Sequence, residues 1–153
     1  LQRIEFSLSD VTEEVVQSFQ GPAKAQHKAL AVDIQPLLSF TGDEKAVRQL
    51  ISILMDNAVK YSPEGGRISV TLEREGRFLK LTVSNTTAQP VEKDQLNRLF
   101  DRFYRMDQSR SSSTGGYGLG MSIAHSIVSV HKGKIWAESP TENILTVMVT
   151  LPQ

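Results

Sequence analysis

The chain contains no cysteine, which excludes disulfides, thiol catalysis and cysteine-ligated zinc. It carries no excess charge of either sign, since 17 Lys and Arg balance 17 Asp and Glu. A nucleic-acid or membrane-surface binder would show a basic excess, so neither class fits. No apolar run approaches the ~18 residues of a membrane-spanning helix. Aromatic residues are sparse at 7%, and the one tryptophan, Trp136, reads as sheet packing between Ile135 and Ala137. What remains is the composition of a folded domain: 153 residues, 39% hydrophobic and 22% charged, enough for one core of ordinary size. The chain opens on Leu1 rather than Met. Residues 1–8 read as the end of a linker from a domain outside this sequence, and 9–153 as a single domain.

Hydrophobic periodicity orders the chain. Ser9 and Asp10 read as N-caps of a helix over about 10–27, with Val11, Val15 and Phe19 at helical spacing and a bend at Pro22. Leu30, Val32 and Ile34 alternate as a strand. Gly42-Asp43 introduces a second helix over about 43–60, whose buried stripe is Val47, Leu50, Ile51, Leu54 and Ala58. Pro63 to Gly66 ends it. Ile68, Val70 and Leu72, then Leu79, Leu81 and Val83, form a hairpin turning at Glu75-Gly76. A short helical stretch at 92–104, a polar loop at 107–118, a helix at 119–131 and a closing antiparallel pair at 135–138 and 145–151 complete it. Helices on one side and hairpin strands on the other predict an α+β fold. It is a two-layer α/β sandwich, with helices on one face of a mixed, mostly antiparallel sheet.

Two segments carry chemistry. Gly115 to Gly120 holds four of the ten glycines directly before a helix. Such a loop lets backbone N–H groups turn toward an anion, and the helix N-terminus adds unpaired donors; the alternative is a hinge. No Gly-Lys-Ser/Thr follows, so it is not a Walker A loop. On the second helix, Asn57 falls at the edge of the buried stripe with Lys60 beside it, at about 100° per residue. An amide oxygen there suits a hard cation such as Mg²⁺, or a bond to neighbouring backbone.

Taken together, Asp56-Asn57-Ala58-Val59-Lys60-Tyr61, Leu99 to Arg105 and Gly116 to Ala124 resemble the N, F and G2 boxes of the catalytic ATP-binding domain of bacterial sensor histidine kinases, in that family's order. The resemblance covers residues 6 to 152. It implies the Bergerat ATP-binding fold, binding of ATP and Mg²⁺, and the work of a histidine kinase in two-component signal transduction. Carried over, Asn57 ligates Mg²⁺, Lys60 reaches the phosphates and Tyr61 lines the nucleotide. Gly116, Gly118, Leu119 and Gly120 shape the phosphate contacts of a lid. Phe100 and Phe103 anchor its near end, and Arg105 faces the phosphates. Asn85 stands where the family has an Asp that accepts from the adenine amino group, and Thr146 lies behind the adenine.

Three departures accompany the resemblance. Asn85 lacks the carboxylate charge, Thr87 and Gln89 replace glycines after it, and Ile53 stands where many relatives have a further Asn. They leave a nucleotide-impaired interaction module as an alternative, beside another ATPase or serine kinase of the same fold. None of His27, His125 and His131 has the setting of a phosphoacceptor. The resemblance therefore implies an acceptor histidine on a dimerisation domain outside this chain. It also implies a homodimeric parent at the bacterial inner membrane, with this domain on the cytoplasmic side, and a cognate response regulator as partner.

Overall fold

A computed structural model describes residues 2–106 and 118–153. Among these residues seven strands and five helices follow in the order β1 (Ile4–Ser7), α1 (Leu8–Gln17), α2 (Gln20–Ala25), β2 (Ala29–Ile34), β3 (Ser39–Gly42), α3 (Glu44–Tyr61), β4 (Arg67–Glu75), β5 (Phe78–Thr86), α4 (Lys93–Arg98), α5 (Gly120–Val130), β6 (Lys134–Glu138) and β7 (Ile144–Pro152). The main sheet has the order β2-β4-β5-β7-β6. Only the β2–β4 pair is parallel, which makes the sheet mixed and mostly antiparallel, as expected.

Strand alternation builds the two layers. Ile68, Val70 and Leu72 of β4, Leu79, Leu81 and Val83 of β5, and Leu145, Val147, Val149 and Leu151 of β7 point to one face. There they join one core with Val11 and Val15 of α1, Val47, Leu50, Ile51, Leu54 and Met55 of α3, and Met121, Ala124 and Val128 of α5. The opposite face carries mostly hydroxyl and charged side chains, with Trp136 half-buried among them.

The first helical segment departs from expectation. Ser7, not Ser9 or Asp10, caps α1: its Oγ accepts from Asp10 N at 3.1 Å. Ser9 is instead buried, donating to Gln35 O and accepting from Leu38 N. The helix breaks after Gln17 and resumes as α2, because Pro22 has no N–H to give to the Ser18 carbonyl four residues back. Within the first turn of α2 the same proline is tolerated. Residues 4–7, which carry no periodic signal, pair with β3 as a two-stranded antiparallel sheet. Phe6 and Phe40 meet edge to face across it, 6.0 Å between ring centroids.

Helix α3 follows its periodicity closely. Asp43 caps it by accepting from Ala46 N at 3.1 Å, and Ser62 ends it with an extended backbone. At the far end of the core, His131 is 1% exposed. Its Nδ1 donates to Ile127 O at 2.8 Å and its Nε2 accepts from Asp43 N at 3.0 Å. That pattern needs one protonated and one bare ring nitrogen, so His131 sits as a neutral imidazole.

Candidate functional site

Ile53, then Asp56 and Asn57, then Lys60 and Tyr61 recur at steps of three or four residues along α3 and line one side of a cleft. Leu99, Tyr104, Arg105 and Met106 form the facing wall, and Gly118, Gly120 and Met121 close the end where α5 begins. Six of the expected site residues therefore meet: Asn57, Lys60, Tyr61, Arg105, Gly118 and Gly120. Leu119 is the N-cap residue between the two glycines, and its side chain makes no capping bond to the N–H groups of α5. Among the described residues no side chain caps those donors, and the positive end of the helix dipole there suits an anion. Gly116 lies outside the described residues, as do Tyr117 and the serines at 109 and 111–113 of the polar loop.

Two of the charges in the cleft lie along α3. Lys60 Nζ stands 2.9 Å from Asp56 Oδ2, one turn back. Asn57, half-buried, offers an uncharged amide oxygen between them. Among the described residues no three His, Asp or Glu side chains cluster as a metal site. Asn57, together with oxygens of a bound ligand and water, offers a donor set that Mg²⁺ accepts.

On the facing wall, the Arg98 guanidinium packs over the Tyr104 ring, 4.8 Å from its centroid. Burial first, and then the nearby Asp94 carboxylate, raise the Tyr104 hydroxyl above its ordinary pKa of 10.0, against a smaller opposing pull from Arg98. Tyr104 is therefore a neutral wall. Gln95 Nε2 donates to Met106 O at 3.5 Å, and Phe103 N donates to Gly118 O at 2.8 Å. The last bond joins the two ends of the segment that separates residues 106 and 118. Phe100 packs against the core and against His125, with ring centroids 6.0 Å apart. Phe103 does not: it is 70% exposed, so its backbone rather than its ring makes the anchor.

Asn85 and Thr146 lie outside the cleft's lining. Asn85 is 3% exposed on the core-facing side of β5, opposite Leu145 of β7. Its Nδ2 donates to Thr86 O at 2.9 Å, which leaves Oδ1 as its acceptor. Thr146 corrects the expectation that set it behind an adenine. Neighbouring residues on a strand point to opposite faces, and Thr146 pairs with Ser84 on the helix-free face, the two hydroxyls 2.7 Å apart. Leu145 shares the face of Asn85. Counting alternation back from Val147, Val149 and Leu151 would have given this.

The stretch after Asn85 needs no glycine. Among the described residues the left-handed non-glycine positions are His27, Leu37, Phe103 and Lys132, so Thr87 and Gln89 adopt conformations open to any side chain. Thr87 Oγ1 donates to Gln89 O, and Thr87 N to Asn143 O at 2.8 Å. Asn143 Nδ2 returns a bond to Thr87 O at 3.1 Å.

A two-layer sandwich with an amide, a lysine and a helix N-terminus around one cleft is the arrangement that the resemblance to an ATP-binding catalytic domain of the Bergerat type implies. Comparison with known proteins carries this further. The family described as histidine kinase-, DNA gyrase B- and HSP90-like ATPase matches residues 42–153, and the chain belongs to it. Its relatives include the probable sensor kinase SilS of Salmonella typhimurium, 38% identical over 78% of this chain and 24% of SilS. The sensor histidine kinase WalK of Bacillus subtilis (strain 168) is 38% identical over 72% of this chain and 18% of WalK. The chain thus spans less than a quarter of the length of either. Among solved structures, the nucleotide-free catalytic domain of histidine kinase ThkA superposes with a TM-score of 0.86, at 24% identity, covering 99% of this chain and 96% of that one. ThkA has also been solved in complex with the response regulator TrrA.

Proposed function

We propose that the cleft binds Mg·ATP and presents its γ-phosphate to a histidine on a dimerisation domain outside this chain. The observation that carries this reading is the convergence of Asn57, Lys60, Arg105 and the start of α5 on one cleft. Asn57 would hold the Mg²⁺, which supplies charge neutralisation on the phosphates. Lys60 and the α5 N–H groups would fix the phosphate chain, and Asn85 Oδ1 would accept from the adenine amino group. Tyr61, Arg105, Gly118 and Leu119 would line the nucleotide. In the transfer, a ring nitrogen of the acceptor histidine attacks the γ-phosphorus. The bond from that phosphorus to the bridging oxygen breaks, ADP leaves with the electron pair, and the imidazole loses a proton. The chain's part is positioning and charge stabilisation, which is most of what phosphoryl transfer asks of a protein.

The parent protein would be a homodimeric sensor kinase that passes the phosphoryl group to a response regulator, a partner class that the ThkA complex supports. No helix among the described residues is long and apolar enough to cross a membrane, in keeping with a domain on the cytoplasmic side of a membrane-anchored parent. A nucleotide-impaired module drew its appeal from the absent glycines at 87 and 89, and the ordinary backbone there weakens that alternative.

Calorimetric titration with a non-hydrolysable ATP analogue tests the reading. Saturable binding that strengthens with Mg²⁺ is expected. Asn57→Asp puts a charge where a neutral donor sits and should weaken Mg·ATP binding by at least about ten-fold with an unchanged unfolding transition. Unchanged affinity in that variant would remove Asn57 from the metal site.

A further inference from the structure

The cleft holds a carboxylate that the nucleotide reading does not use. Asp56 lines it beside Asn57, and its Oδ2 is 2.9 Å from Lys60 Nζ. Both side chains remain partly exposed, so the pair adds little to stability. Its consequence lies in the cleft. A lysine held by a carboxylate is largely neutralised as seen by an incoming anion, and the carboxylate itself repels a phosphate chain over short distances. A bare triphosphate meets both effects in full. A triphosphate with part of its charge cancelled by a cation meets them weakly, because it can release Lys60 from Asp56 with less repulsion.

We infer that Asp56 is a specificity-determining residue that makes the site select metal-bound nucleotide over metal-free nucleotide. The inference rests on the nucleotide reading of the cleft. It assigns Asp56 a role separate from Asn57: Asn57 offers a donor to the metal, while Asp56 penalises the ligand that arrives without it.

The experiment is calorimetric titration of wild type and Asp56→Asn with ATP analogue, each with excess Mg²⁺ and with excess chelator. Asparagine keeps the shape of the side chain and removes its charge. The variant should bind metal-free nucleotide about ten-fold more tightly than wild type, while Mg-bound affinity changes less than about three-fold. The Mg²⁺ enhancement therefore shrinks, and the gain in metal-free affinity should diminish as salt is raised. Wild type that binds nucleotide, with a variant of the same Mg²⁺ enhancement, overturns this inference alone. Wild type that binds neither form overturns the nucleotide reading and this inference with it.

Discussion

Gly118 is held to glycine by two independent constraints. Its φ of +75° is in the left-handed region, and a Cβ would stand 2.5 to 2.6 Å from the backbone carbon and Cα of Phe103. Backbone atoms that close cannot swing aside as a side-chain tip can. Among the described residues a Cβ at Gly120, two residues on, meets only Ile53 Cγ2 at 3.5 Å, an ordinary contact. The two glycines of one motif therefore differ in kind. Gly118→Ala should loosen the Phe103–Gly118 bond that joins the two ends of the segment, and weaken ATP affinity by about ten-fold, with the left-handed strain of about 1–2 kcal/mol added. Gly120→Ala should stay within about two-fold and raise helix stability by less than about 1 kcal/mol, since alanine is the better helix former but this is the first helical position. Titration and thermal unfolding of both variants check this. Equal losses would mean that the Gly118 contact has no bearing on binding.

At the scale of the element, α3 depends on a residue far from it in sequence. Lys28 is 8% exposed at the start of β2. Its Nζ donates to Val59 O, one of the last-turn carbonyls that have no partner within the helix. A cation at that end also suits the helix dipole. Val59 lies between Asn57 and Lys60, so Lys28 steadies the turn that carries the site. Burial lowers its pKa from 10.5, with Glu64 opposing. The unfolded chain then holds more protons than the folded one in the window below 10.5, so stability rises with pH through that window. At lower pH both states are protonated and the burial cost is constant. Lys28→Met should lose that alkaline gain and speed hydrogen exchange in the last turn of α3. Matched pH series of wild type and variant read the first effect, and exchange at residues 58–62 reads the second. An identical alkaline slope would mean Lys28 keeps its ordinary titration in the fold.

Helix α3 and the β4–β5 hairpin are legible in the sequence because each carries an unbroken period, 3.6 or 2, over many residues. The same periodicity puts Asn57 and Lys60 on one edge of a helix, where they are found. The first sheet is not legible: of Ile4 to Ser7 only Phe6 is buried, and four residues with one buried side chain hold no pattern to count. The break between α1 and α2 reads only as a bend because Pro22 forbids one bond without saying whether the helix resumes. The hydroxyl chemistry of Thr146 points to the site, against the parity of its own strand. That Phe103 anchors through its backbone is not legible, since aromatic character does not say which way a left-handed residue aims its ring.

Over the whole molecule, the small sheet, the start of α3 and the end of α5 are joined at one buried point. His131 caps α5, bonds Asp43 N at the start of α3, and packs against Phe40 of β3, 5.7 Å between ring centroids. Gly42 completes the junction. A Cβ there would come within 2.5 Å of Phe40 Cε2 and 2.7 to 2.8 Å of His131 Cδ2 and Nε2. The ring fits because residue 42 has no side chain, and Asp43 N reaches it because the chain passes that closely. His131→Ala should cost about 2–4 kcal/mol, from the cavity and from the partners left without bonds. Gly42→Ala should cost about 1–3 kcal/mol by overpacking. The two are not independent, since removing the imidazole removes one of the two side chains that the methyl introduced by Gly42→Ala would strike. The double variant should therefore lose at least about 0.5 kcal/mol less than the summed single losses, the coupling expected of residues in contact. Denaturant unfolding of the four proteins measures this. Strict additivity would mean that Phe40 alone sets the limit at residue 42, and that the imidazole is held by its hydrogen bonds without help from the glycine.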